Sequence, residues 1–372
     1  MTESTELLFD LTLTEEQRIT RESMRRFAEA EIRTLARAAD EAGAAPAGFY
    51  DQVASMGLTL LAIPEALGGA GIGHSPISNA LSAEDLGYGD MSLALGALTP
   101  LGFVNALLDF GSEAQQERFL TPLADEAFIP ATIALMEPRA TFEPSQLFTT
   151  ARREGNHYVL NGEKSMVALA DTARFILVIA QVEGEALPAA FVVPAGTEGV
   201  GISKEDYMGL RPLSLQRVTL ENVVVSEQDR LSGAKPFDLQ RLVDLSTIGL
   251  CATAVGCCQA VLDYVIPYVN DRIAFGEPIS HRQSVAFMVA NIAIELDAMR
   301  MMVYRAASRA EQGLDFHEQA YLCRVLCAER AMEIGTNGVQ LLGGHGFTRE
   351  HPVEMWYRNL RAVGMLMGVA AV

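Results

Sequence analysis

Basic residues are scarce in this 372-residue chain: 28 lysines and arginines stand against 47 aspartates and glutamates, a formal charge of −19. That excess repels a phosphate backbone and an anionic bilayer, so nucleic acid and membrane are poor partners. Cysteine is sparse too. Cys251, Cys257, Cys258, Cys323 and Cys327 are odd in number and sit inside apolar helical patterns, which predicts buried small hydrophobes and neither a disulfide framework nor a metal-ligand spacing. Met1 to Asp10 has no basic start and no long apolar run, and charges are expected to interrupt the later apolar stretches before they reach membrane-spanning length. A cytoplasmic location is the expectation. Neither a Gly-x-Gly-x-x-Gly nor a Walker loop occurs, which argues against nicotinamide and nucleoside-triphosphate enzymes. No internal repeat or low-complexity tract is present.

With 49% hydrophobic residues, the chain has enough apolar surface to build a large core, probing for two or three packed domains. The first third reads as helical. Thr14 to Gln17 can form a capping box, residues Gln17 to Ala39 favour helix, and Leu93 to Phe110 reads as a buried helix. Gly43 to Gly48 and Pro64 to Gly73 supply breaks. From about Ile129 the pattern changes to short β-branched or aromatic runs: His157 to Leu160, Phe175 to Ala180, Ala190 to Val193 and Val218 to Val225, with Asn161-Gly162 as a turn. After Gly233 helices return, and Val285, Val289, Ile292, Leu296, Met299 and Val303 mark one stripe on a helix of ~30 residues. The reading is α+β, with a helical domain over 1–128, a small antiparallel sheet domain over 129–232 and a helical bundle over 233–372.

Several segments, in order, resemble the acyl-CoA dehydrogenase family. They are Ile63 to Gly71, Phe110 to Leu120, Leu135-Met136-Glu137-Pro138, Asn161-Gly162-Glu163-Lys164, and Arg272-Ile273-Ala274-Phe275-Gly276 with Gln283. The most specific block is Gln340 to Gly346, followed by Pro352-Val353-Glu354 and Arg358. The resemblance implies an acyl-CoA dehydrogenase-like fold ending in a four-helix bundle, an acyl-CoA substrate, electron-transfer flavoprotein as redox partner, and FAD shared across a subunit boundary.

It also lets the two halves of the cofactor site be read separately. Where the family contacts the flavin ring and thioester ligand with threonine, tryptophan, threonine and serine, this chain has Met136, Met166, Ala168 and Phe142. Each exchange removes a polar or aromatic contact, so a ring bound there would lose hydrogen bonds. The half lent to a neighbouring subunit keeps its residue types: Arg272, Phe275, Gln283, Gln340, Gly343 and Gly344. An arginine fork suits phosphate, glutamines suit ribose or phosphate oxygens, and glycines admit close backbone approach.

Dehydrogenation beside a thioester also needs a base, which commonly contributes ~10²–10⁴-fold. The family's Glu-Gly is met here by Met367-Gly368, and a thioether takes no proton. The alternative base position, on the first helix after the sheet, falls on Gln240 or on Ser246, depending on which end of that helix is aligned; neither ionises. Asp238 and Asp244 are the nearest carboxylates, expected to be capping or surface residues. His345 and His281 are not assigned catalytic roles, and Glu137 and Glu163 are expected to hold turns in shape. Three readings stay open: the subunit lacking the base in a heteromeric complex with an acyl-CoA dehydrogenase-like partner subunit, a homomeric flavoenzyme with a non-dehydrogenase reaction, or a flavin-free scaffold. The unequal half-sites favour the first.

Overall fold

The computed structural model describes residues 12–125 and 127–372, so the reading of Met1 to Asp10 lies outside it. Helices come first: α1 (Glu15–Phe27), α2 (Arg33–Ala42), α3 (Phe49–Ala54), α4 (Leu58–Ala62), α5 (Pro76–Gly89), α6 (Met91–Phe110) and α7 (Glu113–Leu120). The expected capping box forms, with the Gln17 N–H donating to Thr14 Oγ1 at 3.2 Å and the Thr14 N–H to Gln17 Oε1 at 3.0 Å. Asp90 caps α6 by accepting the Leu93 N–H at 2.9 Å. Apolar residues cover α6 on every side because nearly every residue in it is buried.

Seven strands follow: β1 (Ala131–Ala134), β2 (Thr150–Glu154), β3 (His157–Ala168), β4 (Phe175–Val182), β5 (Pro188–Pro194), β6 (Val200–Lys204) and β7 (Leu215–Ser226). Their order is β1-β4-β2-β3-β7-β6, with β5 also on β4. The sheet is mixed where the sequence reading expects it antiparallel. One edge of β4 is shared end to end by β1 and β2, both parallel to it, while β5 pairs antiparallel on the other edge. Asn161-Gly162 is a bulge inside β3 and not a turn: the register shifts between Leu160 and Gly162, and Gly162 takes φ +148°. A Cβ there would lie 2.6 Å from Thr149 Cα, so the neighbouring backbone demands glycine. The hairpin turn sits instead at residues 155–156, where Gly155 supplies φ +65°.

The last third contains α8 (Leu239–Asp271), a two-stranded hairpin β8 (Ile273–Ala274) and β9 (Glu277–Pro278), then α9 (Gln283–Glu311), α10 (His317–Leu341) and α11 (Val353–Leu360). In the predicted stripe of α9, Ile292, Leu296, Met299 and Val303 are buried against the bundle. Two helices, α6 and α8, are long and apolar enough to cross a membrane, which corrects the expectation that charge interrupts every such stretch. Both are 94% buried over that window, as core helices are. After α11 the chain runs between α6 and α8: Asn105 Nδ2 donates to the Ala371 carbonyl at 3.0 Å, and a Cβ on Gly249 would lie 2.0 Å from the Ala370 carbonyl oxygen. This threading fixes the place of Met367.

Candidate functional site

Two cavities hold most of the residues singled out by sequence. The outer one, an open cleft of about 910 Å³, lies where α8 ends and α10 ends. Arg272 terminates α8, its N–H donating to the Tyr268 carbonyl at 2.9 Å, and it has no acidic partner among the described residues. The β8–β9 hairpin then carries Phe275 at φ +55° and Gly276 at φ +87°. Phe275 is 96% exposed, a large apolar side chain over which the Arg282 guanidinium stands 5.6 Å from the ring centroid. From the other side come Gln340, in the last turn of α10, and Gly343 and Gly344. Gly343 needs glycine for its φ of +58°. Gly344 does not: its backbone is unexceptional and an added Cβ would meet no heavy atom within 4 Å. Gln283 opens α9 next to the lining residues Arg282 and Ser284 but is not itself part of the wall. His345 is tied down, its Nδ1 2.9 Å from the Tyr268 hydroxyl.

The inner pocket, about 430 Å³, brings together Met136, Phe142, Met166 and Met367. Ala168 is absent from its wall, being buried in β3 opposite Leu215. Sulfur meets backbone here: the Met367 N–H points at Met136 Sδ, 3.2 Å away. Gly368 continues the turn at φ +79°, where a Cβ would lie 3.0 Å from Leu135 Cβ, and its N–H donates to Ser246 Oγ at 2.7 Å. Ser246 therefore stands beside the Met367-Gly368 turn, so one of the two residues weighed on α8 meets the Met367 position. Neither side chain ionises.

Gln240 and Asp244 lie elsewhere. Gln240 Nε2 donates to Asp244 Oδ1 at 3.0 Å, and Asp244 faces His317 Nδ1 at 3.1 Å, joining α8 to the start of α10. Neither lines the inner pocket. Asp238 caps α8, accepting the Arg241 N–H at 3.0 Å.

Two carboxylates do line the inner pocket, and both are engaged. Glu137 accepts N–H groups of Phe148 and Thr149 at 2.8–3.0 Å and the buried Lys164 ammonium at 3.2 Å. Burial alone would raise its pKa, but Lys164 and the two N–H groups outweigh it and hold the carboxyl below its ordinary value. Burial pushes Lys164 itself down to about 8 against the pull of Glu137. Glu205 accepts from Ser165 Oγ and the Met166 N–H at 2.9 Å and from Arg217 at 3.1 Å; these donors outweigh burial and lower its pKa too. A base works best with a pKa near the operating pH, so these two carboxylates are poorly suited to take a weakly acidic proton. Glu205, Tyr207, Arg217, Ser165 and Arg139 are wall residues that the sequence reading did not pick out. They follow no period, and only the fold gathers them.

Matches to known proteins agree with this architecture. Family models described as the acyl-CoA dehydrogenase N-terminal, middle and C-terminal domains match residues 14–127, 132–223 and 239–372. Probable acyl-CoA dehydrogenase YngJ of Bacillus subtilis is 32% identical, over 97% of this chain and 96% of its own. The caffeyl-CoA reductase-Etf complex subunit CarC of Acetobacterium woodii is 30% identical over 96% of both chains. The solved structure of butyryl-CoA dehydrogenase from Megasphaera elsdenii superposes with a TM-score of 0.87 at 28% identity, covering 95% of this chain and 94% of that one. Solved structures of the same fold include complexes with FAD and FADH2. With identity at this level spanning almost its whole length, the chain belongs to the acyl-CoA dehydrogenase family.

Proposed function

We propose that this chain is the non-catalytic subunit of a heteromeric acyl-CoA dehydrogenase, lending the outer half of a dinucleotide site to an acyl-CoA dehydrogenase-like partner subunit that carries the base. The observation behind this reading is the unequal state of the two cavities. The outer cleft offers a guanidinium with no acidic partner, a glutamine, and a glycine whose missing side chain no neighbour requires, all among the described residues. Those groups fit the phosphates of FAD. The inner pocket offers thioethers, Phe142 and carboxylates held below their ordinary pKa, which does not fit a flavin ring poised for dehydrogenation.

FAD, when bound by the partner, supplies the hydride acceptor for an acyl-CoA thioester losing its Cα proton. This chain's share is positional. Arg272 presents donors to the pyrophosphate, Gln283 and Gln340 reach ribose or phosphate oxygens, and the Gly343-Gly344 backbone comes close without a Cβ in the way. Phe275, 96% exposed, is covered by the partner. In the chain's own inner pocket Met367 offers no base, and Ser246, outside the pocket wall and accepting the Gly368 N–H, offers none either. An electron-transfer flavoprotein would be the redox partner of the assembled enzyme, in keeping with the Etf complex named for the Acetobacterium woodii relative.

The test is to purify the chain alone, read its visible spectrum and assay dye reduction with acyl-CoA thioesters of several lengths. A colourless, inactive protein that gains flavin only when mixed with the partner subunit supports the proposal. A yellow protein that reduces the dye with any of them overturns it in favour of a homomeric enzyme.

A further inference from the structure

Three of the cysteines expected only to fill space come together in the bundle. Cys251 projects from α8, Cys323 and Cys327 from successive turns of α10, and their sulfurs all lie within 4.8 Å of one another. Cys323 Sγ and Cys327 Sγ are 3.9 Å apart. All three residues are fully buried, and none lines the outer cleft or the inner pocket. A second observation points the same way. Arg324, between the two α10 cysteines, keeps its Nη1 buried with no hydrogen-bond partner among the described residues. Arg324 shares the turn of α10 that carries two of these thiols, and a buried cationic nitrogen without a partner favours negative charge nearby.

We propose that Cys251, Cys323 and Cys327 form a three-sulfur site for a soft monovalent cation, Cu(I). Metal–thiolate bonds of about 2.3 Å place three coplanar ligands about 4.0 Å apart. The Cys323–Cys327 pair already stands at 3.9 Å, so only Cys251 has to close in by a side-chain adjustment. Thiolates select soft ions over Mg(II), Ca(II) or Mn(II). Structural Zn(II) takes four ligands, and the group contains no fourth His, Cys, Asp or Glu among the described residues. Charge is accounted for as well: on binding, all three thiols release their protons to solvent, and three thiolates with one Cu(I) carry two negative charges, one of them offset by Arg324.

The experiment uses the full chain, purified reduced and without oxygen, with Cu(I) supplied as its acetonitrile complex against a coloured competing chelator. One Cu(I) per chain is expected to stay bound, with X-ray absorption reporting three sulfur neighbours at about 2.3 Å. C251A and C323A should each weaken retention by more than about tenfold. The pair C257A/C258A, equally buried on α8 but outside the cluster, should retain the ion. Failure to retain copper, equal retention by C251A, or a coordination shell of two sulfurs or of nitrogen and oxygen overturns the proposal. The sulfur count is read on the unmodified chain, so it decides even where a cysteine variant does not fold.

Discussion

Gly344→Ala separates what this chain needs for its own fold from what it holds for a neighbour. The residue faces the outer cleft just beyond α10, an added Cβ would meet no heavy atom within 4 Å, and its φ lies outside the left-handed region. Alanine takes that backbone without strain, so the stability of the lone chain should stay within about 0.5 kcal/mol of the parent, the usual span for surface changes. Gly256→Ala is the contrast. Its Cβ would lie 1.9 Å from the Glu84 carbonyl oxygen, an overlap that α5 and α8 relieve only by moving apart, at a cost of about 1–3 kcal/mol or more. For cofactor binding by the complex, Gly344 is the sensitive position. Displacing a pyrophosphate from the Gly343-Gly344 backbone breaks at least one hydrogen bond to a charged group, worth about 1.5–3 kcal/mol, or about 10–150-fold in FAD affinity. Urea unfolding of the lone chain gives the first quantity, and flavin fluorescence titration of the assembled complex gives the second. Unchanged FAD affinity in the G344A complex would refute the cradle. A large loss of stability in the lone G344A chain would refute it as well, by showing that the glycine serves internal packing.

Other substitutions probe the inner pocket and its supports. Met367→Glu in the lone chain should not bring dye reduction with acyl-CoA thioesters, because the ring contacts at Met136 and Met166 are still missing; measurable turnover would show that the base was the only deficit. Ser246→Ala removes the 2.7 Å acceptor of the Gly368 N–H and should cost about 1–3 kcal/mol in urea unfolding, whereas no loss would mean the turn is held by other contacts. Glu137→Gln strips Lys164, whose side chain is 0% exposed, of its counter-charge and should cost about 3–5 kcal/mol at pH 7. Because the folded Glu137 carboxyl is held below its ordinary value, its contribution is complete above the unfolded value of about 4.3 and fades as pH falls through the folded one. Stability curves of parent and E137Q should therefore converge in acid, and a constant gap from pH 7 to pH 3 would contradict the assigned charge state.

The helical parts of the fold were legible because their signals are local. The Thr14 to Gln17 capping box, the Leu93 to Phe110 run and the α9 stripe each rest on side-chain spacing within a few turns, and tertiary packing did not override them. The sheet was harder to read. Asn161-Gly162 looks like a hairpin turn, yet Gly162 is required by Thr149, the residue just before β2, a contact with no trace in the local sequence. Likewise the parallel pairing of β4 depends on chain crossing and not on alternation. In the site, motif resemblance drew attention to Arg272, Gln340, Gly343 and Gly344 around the outer cleft and to Met136, Phe142, Met166 and Met367 around the inner pocket. Register was the limit at α8. The two ends of that helix align differently, and only the Gly368–Ser246 hydrogen bond tells which residue stands at the Met367 turn. Glu205 and Arg217 were missed because their importance comes from the donors that converge on one carboxylate, not from their order in the chain.

The central claim, that this chain grips one half of a companion's cofactor and holds none of its own, is tested most directly by counting flavin in the assembled complex. Quantitative release of FAD from the purified heteromer, set against the molar amount of each subunit, should give one FAD for each pair of unlike chains. Two FAD per pair, one in each chain's own inner pocket, would contradict it.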